Sequence, residues 1–275
     1  MSSLPLLRPL SIGEILDRAF RIYRSHFVLL ISIPLVALIP MMVLQVMSQL
    51  ILGTSQLVEL LQNGFVQILV SGALIVAISQ AYLTDHPTLS QAYRAASQRY
   101  GAAWGASALM GLAIILPTAA LSCAVITLGQ GEGFWLILLL VLPYAIFLST
   151  RWTLMLPSVL LERLGAQAGL GRSWTLTKGF FWRVFGTSFL AGMLVLLVAT
   201  LPQIAVAYSL ELIQFNFHIS SIVEIVLAQL GLILTLPLSL GVSVVLYYDL
   251  RVRKEAFDLE WQMQQTSPTE PDTTQ

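Results

Sequence analysis

The stretch FVLLISIPLVALIPMMVLQVMSQLIL, residues 27–52, carries no charged side chain. As a helix it would be roughly 39 Å long at 1.5 Å per residue, more than the roughly 20 residues that cross a hydrocarbon core. A helix that is apolar on every side has no face for water, so lipid is the solvent that fits it. This one run decides the class: an integral membrane protein.

Working outward, five further runs read the same way. Residues 65–84, 101–128 and 184–210 hold no charge; residues 134–161 hold only Arg151, and residues 222–248 only Glu224. The whole chain is 57% hydrophobic and 10% charged, against roughly 25% charged in a soluble domain. The expected fold is therefore an all-α integral membrane domain of six transmembrane helices over residues 1–262. The polar tail, residues 263–275, has nothing to bury and is expected to be disordered.

The basic residues orient these spans. All 14 Lys and Arg fall before the first run, between the second and third, from Arg151 to the start of the fifth, or after the sixth. The opposite connections hold Glu59, Glu132, Glu211 and Glu224 and no Lys or Arg. Under the positive-inside rule both termini lie in the cytoplasm, and an inner (plasma) membrane is the expected location. The arginines of the N-terminus are spread over an amphipathic stretch rather than set before a short apolar core. A cleavable signal peptide is thus not expected, and the first span should stay in the mature protein.

Each basic stretch joins aromatic and cationic residues to a span containing proline, which suggests three units of short helix plus transmembrane hairpin. The first short helix, residues 11–25, is the best defined. Ser11 and Glu14 have capping-box spacing, while Ile12, Ile15, Leu16, Ala19, Phe20 and Tyr23 form a stripe. Such a helix lies in the membrane plane or packs its stripe on the bundle. Arg18, Arg21, Arg24, Arg172, Lys178 and Arg183 are the candidate contacts for anionic headgroups.

Four charges stand near or within the apolar runs. Arg151 is expected either to snorkel to the interface beside Trp152 or to form an ion pair, with Asp249 as first choice of partner and Glu162 as second. Glu224 reads as a carboxylate one turn into a helix, where the dipole favours it. Prolines 34, 40, 117, 143, 157, 202 and 237 read as kinks or as breaks exposing backbone groups. Gly101, Gly105, Ser107 and Gly111, and Ser188 with Gly192, have the spacing of close helix contacts.

Chemistry is harder to find. The chain has three His and one Cys, so an intrachain disulfide and a Cys-based zinc site are excluded. Cys123, inside an apolar run, reads as a small buried hydrophobe. No HExxH, phosphate loop, GxSxG or His–carboxylate cluster is present. No catalytic, metal or cofactor-binding residue is assigned, and no cofactor is expected. The formal net charge of zero gives no whole-molecule attraction to nucleic acid.

Four stretches carry a family resemblance: RPLSIGEILDRAFRIYRSHF (8–27), RWTLMLPSVLLE (151–162), RSWTLTKGFFWRVFG (172–186) and YYDLRVRKEAFDLE (247–260). Together they resemble the bacterial membrane-domain family named after glycerophosphoryl diester phosphodiesterases. The resemblance implies a membrane module. The catalytic barrel to which such regions are fused in some proteins, with its His, Glu and Asp metal ligands, has no counterpart in these residues, so no catalytic residue carries over. The expected function is a non-catalytic module: an anchor, scaffold or accessory subunit. Its partners would be the bilayer, anionic headgroups, and a membrane protein or second copy. The alternative is a small transporter or channel with a path near Arg151 and the proline-kinked spans.

Overall fold

The computed structural model describes residues 8–83, 87–127, 133–213 and 217–255. All of the regular structure among them is helical. The helices are α1 (Ile12–Ser25), α2 (Phe27–Leu52), α3 (Gln56–Leu61), α4 (Gln67–Leu83), α5 (Leu89–Gln98), α6 (Tyr100–Thr127), α7 (Gly133–Trp152), α8 (Met155–Leu161), α9 (Ala166–Thr177), α10 (Phe181–Val195), α11 (Leu201–Leu212) and α12 (Phe217–Glu255). Among the described residues, six helical stretches are long and apolar enough to cross a membrane. A short helix (α1, α5, α9) precedes each pair of them. The expected tail, together with Asp85, His86 and Glu132, lies outside the described residues.

Several boundaries differ from the sequence expectation. The second span begins at Gln56, so Glu59 sits in helix rather than in a loop, and a wide turn at Gln62–Val66 joins α3 to α4. The sixth span starts at Phe217, which puts Glu224 two turns inside α12 rather than one. That is beyond the first turn, where the helix dipole acts. At 39 residues, α12 would be roughly 58 Å long and must project beyond a core of about 30 Å.

Prolines account for some of the interruptions, though not for the turn at Gln62–Val66. A proline lacks the N–H that would bond the carbonyl four residues back. Pro157 leaves the Thr153 carbonyl free; the helix breaks between α7 and α8, and Ser243 Oγ donates to that carbonyl at 3.3 Å. Pro117 frees the Ala113 carbonyl, and Tyr144 Oη donates to it at 2.8 Å. Pro202 follows a second wide turn, Leu196–Thr200, and sits in the first turn of α11, where proline is tolerated. Two gaps are thus closed by hydroxyls from neighbouring helices, as low-dielectric surroundings require.

Burial is concentrated at the end of the bundle that carries the Lys and Arg, here called the basic end. Residues 70–79 of α4 are all buried, as are nearly all of residues 241–250 of α12. They form one cluster with α1, α5, α8 and α10. The α6 and α10–α11 spans bury few of their side chains within the protein, and Cys123 is exposed on α6 rather than buried. Those faces are left for lipid.

The α1 helix lies along α12. Leu10 meets Asp249, Ala19 lies against Gly241, and Tyr23 Oη donates to the Leu234 carbonyl at 3.1 Å. That register is antiparallel. Ile15, Ala19 and Ile22 are buried on the bundle, while Phe20 stays 50% exposed. The capping box is formed: Ser11 N–H donates to Glu14 at 2.6 Å, and Glu14 N–H to Ser11 Oγ at 3.2 Å. These bonds and the Arg8 guanidinium hold the Glu14 carboxyl down at about 2. Leu10 and Ile15, the positions of a hydrophobic staple, share the core.

Of the small residues singled out from spacing, Gly105 makes a close contact: a Cβ there would sit 3.3 Å from that of Ala166 on α9. Positions 101, 111 and 192 have open space. The tightest approaches lie elsewhere, where a Cβ on Gly169 would fall 2.2 Å from Val159 Cγ2 and one on Gly231 2.9 Å from the Ala199 Cβ.

Candidate functional site

Two ionic clusters and one aromatic cage organise the basic end. The first cluster centres on Asp249, whose side chain has no solvent exposure. Leu10 N–H donates to Oδ1 at 2.7 Å, Arg183 Nε to Oδ2 at 3.0 Å, and Arg253 Nε to both oxygens at 3.2 and 3.0 Å. Both guanidiniums also donate to the Leu10 carbonyl. The carboxylate therefore ties the segment before α1 to the start of α10 and the end of α12. A buried charge needs this much compensation, because each unpaired acceptor in a poorly hydrated site costs free energy.

The second cluster joins α8, α9 and α12. Arg172 Nε donates to both Glu162 oxygens at 2.9 and 2.7 Å, and its Nη2 to Glu255 at 2.8 Å. Arg251 reaches Glu255 at 3.1 Å, and Tyr247 Oη donates to Glu162 at 2.6 Å. The hydrogen bond to Glu255, followed by that to Glu162, pushes the Arg172 guanidinium further toward its charged form. Lys254 Nζ donates to the carbonyls of Thr175 and Lys178, where α9 ends and free acceptors are exposed.

Arg151 stands apart from both clusters. Its guanidinium carbon lies 5.4 Å from the Phe147 ring centroid, 5.1 Å from Trp174 and 5.6 Å from Phe181. Nε and Nη1 are buried with no hydrogen-bond partner. Of the two readings the sequence left open for Arg151, the ion pair is not formed: Asp249 is held by Arg183 and Arg253, and Glu162 by Arg172 and Tyr247. What stabilises the charge instead is the π faces and its place in the last turn of α7. Its own carbonyl accepts from Ser173 Oγ at 2.8 Å and Thr177 Oγ1 at 3.3 Å, so α9 caps α7.

The remaining candidates separate. Arg18 donates to Tyr82 Oη at 3.2 Å and lies 5.2 Å from that ring. Arg21 pairs with Asp17 on the exposed face of α1. Arg24 and Lys178 are exposed. Glu224 lies near the opposite end of α12 and joins neither cluster. Sequence reasoning missed Leu10, Tyr247, Arg251, Arg253 and Glu255 as cluster members. The spacing of Asp249 to Arg253 and of Arg251 to Glu255 was a readable signal, since residues four apart share a helix face.

Beside the clusters, α7, α10 and α12 enclose a cleft of about 390 Å³ bearing hydroxyls from Ser149, Thr150, Thr153, Ser188, Ser239 and Ser243. Phe185 and Phe189 form part of its wall and stack in series from Phe181, which underlies Arg151. Among the described residues, no three His, Cys, Asp or Glu converge as a metal-holding set.

Residues 127–268 match the family described as the membrane domain of glycerophosphoryl diester phosphodiesterase. The match takes in the Arg151 cage and every member of the two clusters except Leu10. Three of the four resembling stretches fall inside it, and residues 8–27 fall outside. No curated protein and no solved structure matches the chain. The match spans just over half of the chain, over helices that carry the Arg151 cage and both clusters; the protein is a multi-pass membrane protein that belongs to the membrane-domain family of glycerophosphoryl diester phosphodiesterase.

Proposed function

We propose that the protein is a non-catalytic membrane module of a bacterial inner membrane, with both termini cytoplasmic and a basic face resting on anionic lipid headgroups. The observation that carries this reading is how the charges divide. Glu162, Asp249 and Glu255 are consumed in ion pairs that bind the helices to one another. Arg24, Arg94, Arg163 and Lys178 stay exposed at the same end, with no carboxylate partner among the described residues. The inner charges build a rigid collar, and the outer ones remain for headgroups, each worth roughly 1 kcal/mol near an anionic surface. Trp182, 78% exposed beside Arg183, suits the interfacial belt where aromatic rings collect. Arg151 supports the architectural reading over a transport path, because its guanidinium is enclosed by rings and its carbonyl is capped.

The test is lipid retention. Protein extracted in mild detergent and examined by native mass spectrometry should carry phosphatidylglycerol or cardiolipin in preference to phosphatidylethanolamine. Replacing Arg24, Arg94, Arg163 and Lys178 together by Gln should abolish that preference and leave the thermal midpoint nearly unchanged. Equal retention of anionic and zwitterionic lipid by the unaltered protein would refute the headgroup role.

A further inference from the structure

The end opposite the basic collar holds a second cavity, of about 320 Å³, where the end of α2, the turn Gly53–Ser55, α3, α11 and the start of α12 meet. Its polar lining includes Gln49, Glu59, Gln203, Ser221 and Glu224. The segments that wall it, residues 27–83 and 184–248, contain no Lys or Arg. Neither the Glu59 nor the Glu224 carboxylate has an ion pair or hydrogen bond among the described residues. The two carboxylates share one cavity without a countercharge among the described residues.

A second observation is independent of the carboxylates. Gln49 is only 6% exposed, yet its side-chain amide has no hydrogen-bond partner although it lines the cavity. An amide that lines a cavity without a protein partner keeps its donor and acceptor available to a ligand. One turn earlier on α2, the Gln45 amide is satisfied. Gln45, Gln62 and Gln229 are 2%, 3% and 4% exposed and bond to one another at 2.8–3.3 Å. None of these three lines the cavity. Their ring draws Gln62 in at the wide turn Gln62–Val66, an irregularity that is frequent at functional sites.

We infer that this cavity is a binding site for a small aliphatic diamine. Its two ammonium groups would match Glu59 and Glu224, and an ammonium N–H would donate to the Gln49 amide oxygen. A divalent metal is less well served. Ca²⁺ takes six to eight oxygen ligands at 2.3–2.6 Å, and no group of three or more carboxylate, His or Cys side chains converges here among the described residues. Glu59 and Gln56 are exposed and give entry from solvent. In the proposed topology that entry faces the cell exterior.

Putrescine titrated by calorimetry into the full chain in nanodiscs tests the site. Saturable one-to-one binding is expected, weakening as salt screens the carboxylates, and so is a rise in the thermal midpoint of the unaltered protein. Glu224→Gln and Gln49→Leu should each weaken binding at least tenfold, whereas Arg94→Gln at the opposite end should not. Absence of saturable binding to the unaltered protein would overturn the site. So would affinity unchanged by both cavity variants. If Glu224→Gln does not fold, Gln49→Leu and the midpoint shift decide alone. Displacement of putrescine by Ca²⁺ or Mg²⁺ at lower concentration would overturn the ligand class.

Discussion

Asp249→Asn is expected to lower stability in detergent by about 3 kcal/mol, the low end of the roughly 3–5 kcal/mol lost when one partner of a buried ion pair is removed. The carboxylate is fully buried, but the Arg183 and Arg253 side chains keep 18% and 25% exposure and recover some hydration. Asn keeps the shape and one acceptor for Leu10 N–H, so the loss reports the missing charge more than a cavity. Both guanidiniums would then face each other and the Leu10 carbonyl with no anion between them. Arg183→Gln alone should cost less, and the double variant less than the sum, because the two groups share one interaction. The same cycle run between Arg151 and Asp249 should be additive within about 0.5 kcal/mol. Coupling of more than about 1 kcal/mol there would mean that the two meet after all.

Gly169→Ala should cost about 1–3 kcal/mol although it adds a single methyl group. The new Cβ would lie 2.2 Å from Val159 Cγ2 and 3.6 Å from the Met155 carbonyl oxygen. Val159 is fully buried in α8 and stiff at χ1, so it has little room to rotate away. The α8 and α9 helices would separate, which strains both the Arg172–Glu162 pair and the capping of Arg151 by Ser173. Val159→Ala in the same chain should recover most of the loss. A melting point unchanged by Gly169→Ala alone would show that α8 and α9 are not packed this closely.

Most of the architecture was legible in the sequence, and the reason is hydropathy. Charge-free runs of transmembrane length have one solvent available to them, so residues 27–52 were placed to the residue as α2. The ends of the other spans shifted because periodicity cannot show where an apolar helix leaves lipid and continues in protein. That is the case for α12, whose last turns are wrapped by α1, α8, α9 and α10 rather than by lipid. Prolines were visible but their outcome was not. A hydroxyl from another helix takes up the freed carbonyl in both cases, Tyr144 for Pro117 and Ser243 for Pro157, yet only the second helix breaks.

The charged cluster was half legible. Asp249 was rightly singled out as an ion-pair member, but its partner was misassigned, because proximity between helices does not follow from position along them. Arg183 was read as a headgroup contact and is instead an inner member of the Asp249 cluster. Arg172, read the same way, holds Glu162 and Glu255. A buried carboxylate draws the nearest guanidinium that can also satisfy a backbone carbonyl, here that of Leu10. Arg151 found aromatic faces instead, and its cage draws Phe147, Trp174 and Phe181 from three different helices. The cavity at the acidic end escaped notice because glutamines in apolar runs carry no charge and so left the count of spans unaltered.

The division of charge between the two ends is the centre of the account, and side-specific labelling tests it most directly. Single cysteines at Gln56, Ser97, Gln167 and Glu211, all exposed positions, are introduced into a Cys123→Ser chain and treated with a membrane-impermeant maleimide on intact spheroplasts. Gln56→Cys and Glu211→Cys should react at once, while Ser97→Cys and Gln167→Cys should react only after the membrane is opened. Reaction of either of the latter two in intact spheroplasts would place part of the basic end outside and contradict the account.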